Sequence, residues 1–465
     1  MLSKKTVLEI GREALEIHVP ARADILSMTP PEPLADPRAA IEEALRHSLG
    51  SPGLEEIVRR RLADKPDAAA AVVISDNTRP VPYRGEQGIL WPVVDKLLEC
   101  GLPPERITVI VAAGTHRALG PEELEAMLDP RVLAAGIKIR NHDGRDASSL
   151  AYLGETSRGS VIYLNREYLA ADLKILTGLV ESHFMAGASG GRKSICPGLV
   201  GEQSTFVFHG APMLASPLAR DLVLEGNPCH EEALEVARMA GADYIVNVTL
   251  DHCFRLTGVF AGDLERAHAE AVARLREYAI IPIEKNYDLV IGHAGFVGVN
   301  HYQAAKAGVA AIPALKPGGR LIVVADNIDP DPVGSPMYRM VLHLLKLIGA
   351  ERFIRLLHSP DWVFIPEQWQ VQMWARLFAV IPMAHLIYYA PQLSARDYAI
   401  LPGRDGNEFL PPMERYRGNM ASAARVIEDA AQEIFRDQAG LGRELEVAVL
   451  ADGPYGIPWK STDEG

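Results

Sequence analysis

The sequence predicts an α/β protein of two domains, with mostly parallel sheets flanked by helices. Three observations carry that expectation. Short apolar, β-rich runs alternate with helical stretches. The alternation restarts after Pro282, and 465 residues exceed what one compact core accommodates.

The strands come in order. Ala70–Ser75 (AAVVIS), Ile107–Ala112 (ITVIVA), residues 173–177 (LKILT) and residues 244–248 (YIVNV) are short, mainly apolar, β-rich runs that end in turn or polar residues. Buried parallel strands read this way because both faces are covered. Helices are expected between them at 86–99 and at 122–128, the latter opened by Gly120 and Pro121. A helix over 268–279 runs into IIPIEKNYD, which sets the boundary: residues 1–280 form the first domain and 285–465 the second. The last residues have the option of packing back on the first domain. Strands at 288–292 (DLVIG) and 320–325 (RLIVVA) enclose a helix at 303–309, and residues 446–451 (EVAVLA) add a final strand. Residues 327–415 carry many prolines and three of the five tryptophans, and no element is assigned to them.

Composition narrows the function. Lys+Arg 47 against Asp+Glu 60 gives a net charge of −13, which would repel a phosphate backbone and argues against nucleic acid as a partner. Cys100, Cys196, Cys229 and Cys253 are scattered with no C-x-x-C pair, so neither a disulfide framework nor a zinc ribbon is indicated. The N-terminus has no apolar core of signal-peptide type. The most apolar run, residues 377–390, is too short to cross a bilayer. The expectation is a soluble, cytoplasmic protein with no membrane partner.

Four clusters sit where strands end, the place open α/β sheets bind ligands. Asp76, Asn77, Thr78, Arg79 and Pro80 follow the first strand; Arg79 can fork onto a carboxylate or phosphate, and Pro80 keeps it extended. Alone, this motif reads better as a plain strand-to-helix turn. Gly114, Thr115, His116 and Arg117 follow the second strand, and a glycine turn presenting a histidine suits a general acid/base. A lone histidine is nonetheless more often structural.

The third cluster is the densest. Glu181, Ser182 and His183 lead into Gly187–Ser194 (GASGGRKS), where glycines let the main chain approach a ligand closely. Lys193 and Ser194 nearly complete a P-loop, but Arg192 stands where that motif demands glycine and Pro197 interrupts the helix it requires. His209, in VFHGAP, is a metal ligand or a packed ring. In the fourth cluster Gln303 and Lys306, three apart on a helix, share a face and can grip a carboxylate; a solvated helix start is the plain alternative.

Taken in order, DNTRP at 76–80, GTHR at 114–117, SHFMAGASGGRKSICPGL at 182–199, FHG at 208–210 and YQAAKAG at 302–308 resemble the lactate racemase family, whose members use a nickel-pincer nucleotide. The resemblance spans residues 70–308 and is weakest after 326. It implies a racemase or epimerase inverting C2 of a 2-hydroxy acid, lactate or a related one, through a 2-keto intermediate. It further implies that Lys193 carries the cofactor covalently as a thioamide, that His209 is the protein ligand to nickel, and that Asp76, Asn77, Thr78 and Arg79 contact the cofactor. His116 and His183 are the implied acid/base pair; Arg79, Gln303 and Lys306 would hold the substrate, which would put the active site in the cleft between the two domains. Enzymes that make the cofactor are implied partners.

The chemistry is consistent with that implication. Taking a proton from carbon beside a carboxylate is hard, whereas hydride removal needs only an electrophilic ring and a base for the hydroxyl. Two enantiomers present their hydroxyls differently, so two histidines near neutrality are useful. Imidazole is a reasonable nickel donor beside soft sulfur. Two other readings compete: a P-loop-like phosphate or nucleotide enzyme using Lys193, with Asp326 on a magnesium strand, and a non-catalytic two-domain ligand-binding protein.

Overall fold

In the computed structural model, residues 2–11, 13–438 and 444–460 are described. The chain divides into two compact units, one of residues 30–278 and one of residues 1–29 with 279–465.

The unit of residues 30–278 is built on a six-stranded sheet in the order Leu256–Gly262, Tyr244–Leu250, Leu173–Leu179, Ala70–Ser75, Ile107–Ala112, Lys138–Asn141. All neighbours are parallel except the antiparallel edge strand Leu256–Gly262. Successive side chains alternate between faces. Val72, Ile74, Val109, Val111, Ile175 and Val246 join one core with Val93, Val94 and Leu97 of helix Leu90–Glu99 and Ile41 and Leu45 of helix Pro37–Arg46. Asp36 caps that second helix by accepting from the Ala39 N–H. The helix expected at 86–99 starts only at Leu90, because Gly85 and Gly88 close a turn ahead of it.

The other unit holds a second six-stranded sheet, parallel throughout, in the order Arg404–Asp405, Leu386–Tyr389, Leu315–Val324, Tyr287–His293, Val447–Leu450, Asp24–Leu26. Its outermost strand comes from the N-terminus. The sequence reading put residues 1–280 in one domain; instead, residues 1–29 lie in this unit. The cause is pairing: Ala448 aligns with Asp24 and Leu450 with Leu26. The hairpin Leu2–Ile10 and Glu13–Pro20 also packs Leu8, Ile10, Ile17 and Val19 against Val426, Ile427, Ala430 and Ile434 of helix Ala421–Gln438. The closing strand Ile457–Trp459 pairs with Ile280–Pro282, so the described C-terminal residues pack within their own unit.

Residues 327–415 prove regular. Helices Pro336–Ile348, Ala350–Leu357 and Gln368–Val380 lead into strand Leu386–Tyr389. Trp374 is fully buried and stacks on His301 at 4.8 Å between ring centres. Helix His301–Ala311 is capped by the Asn300 side chain, which accepts from the Gln303 N–H.

Candidate active site

Strands Leu173–Leu179, Ala70–Ser75 and Ile107–Ala112 are adjacent and parallel, so their C-terminal ends lie side by side. That adjacency draws together three of the four sequence clusters, which are far apart in the chain.

At the end of the middle strand, Asp76 is buried while Asn77 and Thr78 are exposed. Asp76 accepts from the Thr78 main-chain N–H and hydroxyl, and its Oδ2 lies 2.7 Å from Nδ1 of His116. Burial works to raise the Asp76 carboxyl, but the bonds to His116 and Thr78 and the charge of Arg79 outweigh it and hold the group below its usual range. Asn77 turns away and donates to Glu123 Oε1 at 3.0 Å. Arg79 lies 3.4 Å from Oε1 of Glu181, a member of the third cluster to which the sequence reading assigned no role.

The His116 turn requires its glycine. Gly114 has φ +59, in the left-handed region, and its N–H bonds to the Gly198 carbonyl. The turn carrying His116 is thereby fastened to the segment that follows Lys193. The His116 ring itself is half exposed.

Lys193 sits on a single 3-10 turn, Gly191–Ser194, after Gly190 at φ +74. A Cβ on Gly190 would lie 2.7 Å from the Val180 side chain. No α-helix follows directly; the next is Ala211–Leu214. The strand–loop–helix of a P-loop is therefore missing. Arg192, the residue at odds with that motif, is buried behind the loop. It donates to the carbonyls of Ala186 (2.7 Å) and Gly190 (3.3 Å) and lies 2.9 Å from Nε2 of His268. Nothing in the sequence flagged His268 as its partner.

Lys193 points the opposite way. Its Nζ lies 3.0 Å from Nε2 of His183 and 5.7 Å from the centre of the Phe208 ring. Loss of hydration, then the neighbouring charges of Arg192 and Arg79, bring the amine down to about 7. His209 meets the Phe208 ring edge-on at 4.7 Å. Desolvation and the Lys193 charge push its imidazole to about 3, so it is neutral at physiological pH and has a lone pair to give. Gln303 and Lys306 lie one turn apart on one face of helix His301–Ala311, in the other unit.

Among the described residues, no group of three or more His, Cys, Asp or Glu side chains is gathered to hold a metal. A metal at His209 would need its remaining donors from a bound group. A weakly basic amine beside a neutral imidazole, on a loop that tolerates close approach, suits a group that is both acylating and metal-bearing.

The architecture and the clustered strand ends define an α/β enzyme. A family model described as the lactate racemase N-terminal domain matches residues 10–221. A lactate racemase from Lactiplantibacillus plantarum is 32% identical over 339 residues, covering 72% of this chain and 76% of that protein. Another from Thermoanaerobacterium thermosaccharolyticum is 28% identical over 400 residues, 85% and 91% of the two chains. Among solved structures, the lactate racemase apoprotein from T. thermosaccharolyticum superposes with a TM-score of 0.81 at 22% identity, covering 98% of this chain and all of that one. A protein from Thermotoga maritima gives 0.61 at 16% identity, covering 89% of this chain. The chain belongs to the lactate racemase family, and with it to the isomerase class of enzymes.

Proposed function

We propose that this protein racemises a 2-hydroxy acid, lactate or a close relative, using a nickel-pincer nucleotide attached covalently to Lys193 with His209 as the protein ligand to nickel. The observation that supports it most is the pairing of Lys193 with His183 at 3.0 Å, on a loop fastened to the turn that carries His116. A lysine brought down to about 7 is in part the neutral amine that attachment requires, and burial keeps the His209 imidazole neutral. When bound, the cofactor supplies a ring that accepts hydride from C2 and returns it.

The chain's own residues manage the substrate. His116 takes the hydroxyl proton at Nε2 while Asp76 holds Nδ1–H and steadies the charged ring. His183 serves the oxygen of the other enantiomer. Residues 76–79 border the cofactor. Arg79, Gln303 and Lys306 are the residues proposed to hold the carboxylate. The mixture of a fixed amine, two histidines and a cationic grip has no use in a passive binding module, and the missing P-loop helix counts against phosphate chemistry.

No helix among the described residues is long and apolar enough to cross a membrane. The cytoplasm, beside the enzymes that make the cofactor, is the proposed setting. Coexpression with those enzymes, followed by intact-mass spectrometry, metal analysis and a racemisation assay from each enantiomer, tests the reading. A chain without mass adduct or nickel that racemises nothing would refute it.

A further inference from the structure

The two histidines are wired in opposite senses. His116 turns Nδ1 to Oδ2 of Asp76, 2.7 Å away. An ionised carboxylate only accepts, so the neutral ring carries its proton on Nδ1 and keeps its lone pair on Nε2. His183 turns Nδ1 instead to the main-chain N–H groups of Met185 and Ala186, at 3.3 and 3.2 Å. Those groups only donate, so the lone pair is on Nδ1 and the proton is on Nε2. That Nε2 faces Nζ of Lys193 at 3.0 Å. The contact is a hydrogen bond only if the lysine accepts, which a neutral amine does and an ammonium does not.

We infer that the pair is one acceptor and one donor, His116 offering a lone pair at Nε2 and His183 offering an N–H there, and that Lys193 occupies the His183 donor until its own lone pair is taken up. The inference rests on the racemase reading for its consequence, though not for its geometry. Once the lysine nitrogen belongs to a thioamide its lone pair is delocalised and accepts poorly, so the His183 N–H is released toward a substrate oxygen. A donor of this kind polarises a carbonyl as a neutral imidazole does. For His183 to act as a base at Nε2, its proton must first move to Nδ1, against two main-chain donors. His116 has no such barrier, because Asp76 already holds its proton on the far nitrogen.

The test is long-range proton–nitrogen NMR of the cofactor-free protein labelled with nitrogen-15 histidine, at a pH where both rings are neutral. His116→Gln and His183→Gln identify the two signals. His116 should show a protonated Nδ1 and His183 a protonated Nε2, each favoured by about tenfold or more over the other tautomer. Asp76→Ala should remove the His116 preference and leave the His183 pattern intact, with unchanged His293 and His301 signals reporting that the fold holds. The same tautomer in both rings, or a proton on Nδ1 of His183, overturns the inference, as does a folded Asp76→Ala protein in which His116 keeps its preference. Racemisation by cofactor-loaded protein is scored separately. Opposite tautomers without racemisation remove the functional reading and leave the wiring standing, whereas racemisation with like tautomers does the reverse.

Discussion

His116 and His293 both stand at the ends of parallel strands, one in each sheet, and they differ in what their ring nitrogens meet. His116 follows Ile107–Ala112 with a half-exposed ring, a carboxylate on one nitrogen and the other open to chemistry. His293 closes Tyr287–His293 and is 2% exposed. Its Nε2 lies 2.9 Å from the Ala451 carbonyl and its Nδ1 accepts the Gly295 N–H. Main-chain groups use up both nitrogens, so that ring is structural. The comparison separates the histidine proposed for chemistry from one held for packing by the identity of the ring's partners, since both stand at or just beyond a strand end. His301, fully buried against Trp374 and bonded to the Tyr338 hydroxyl at 2.9 Å, belongs with His293.

The largest effect expected on the active-site side is at Lys193. Lys193→Ala should abolish the mass adduct and racemisation together, read by intact-mass spectrometry on protein coexpressed with the cofactor-making enzymes. An adduct that persists on this variant would move the attachment elsewhere. His116→Ala comes next and should slow turnover by about 10²–10⁴, the usual worth of a positioned acid/base, with the adduct intact. His293→Ala is its counterpart on the packing side. Loss of a buried ring with two hydrogen bonds should cost about 2–4 kcal/mol of stability by denaturant midpoint. Activity per folded molecule should hold. An inactive but equally stable His293 variant would break the comparison.

What the sequence made legible follows the same division between local and distant partners. The inner strands such as Ala70–Ser75 and Ile107–Ala112 could be read because they are buried and apolar, whereas Leu256–Gly262, Lys138–Asn141, Leu386–Tyr389, Arg404–Asp405 and Asp24–Leu26 could not. Short motifs in a fixed order singled out His116, His183 and Lys193, and the structure puts Lys193 against His183 on a loop tied to the His116 turn. Residues 1–29 read as part of the first domain and fall in the other unit, because the partner of Asp24 is Ala448, more than four hundred positions away, and no local pattern encodes that pairing. The DNTRP turn was taken as one unit, yet it splits: Asp76 serves His116, Asn77 reaches Glu123 and Arg79 meets Glu181. Arg192 was legible only as a misfit to a P-loop. Its use, holding the Lys193 loop through two carbonyls, depends on a backbone path that composition does not reveal.

Acid should register the buried packing histidines in the stability of the fold. Burial drives His293 from its ordinary 6.5 to about 4 and His301 to about 3. Each therefore binds its proton less readily folded than unfolded. The unfolded chain takes up more protons below 6.5, so this contribution is complete above that pH and is lost as pH falls toward 3–4. Each ring adds up to ~1.4 kcal/mol per pH unit to the slope across its window. Denaturant midpoints between pH 7 and 4.5 measure it. A His301→Phe variant, unable to take up a proton, should flatten that slope; an unchanged slope would remove His301 from the account.

The smallest expected effect is an inequality between enantiomers, and it probes the comparison inside the site itself. Racemisation has an equilibrium constant of one, so steady-state ratios are constrained and conceal any difference between the two histidines. Single-turnover loss of cofactor absorbance with each pure enantiomer does not conceal it. The enantiomer whose hydroxyl meets His116 finds a base already presented at Nε2, held there by Asp76. The other meets His183, whose Nδ1 must give up two main-chain donors before Nε2 can accept. Two weak hydrogen bonds correspond to about a tenfold difference in rate or somewhat more. His116→Ala should slow the faster half-reaction most, and His183→Ala the slower one. Asp76→Ala should erase the advantage of the faster enantiomer and leave the slower nearly unchanged, since the carboxylate reaches only one of the rings. Equal half-reactions in the unaltered enzyme would mean that cofactor binding rewires His183, and that its contacts with Met185 and Ala186 belong to the cofactor-free chain alone.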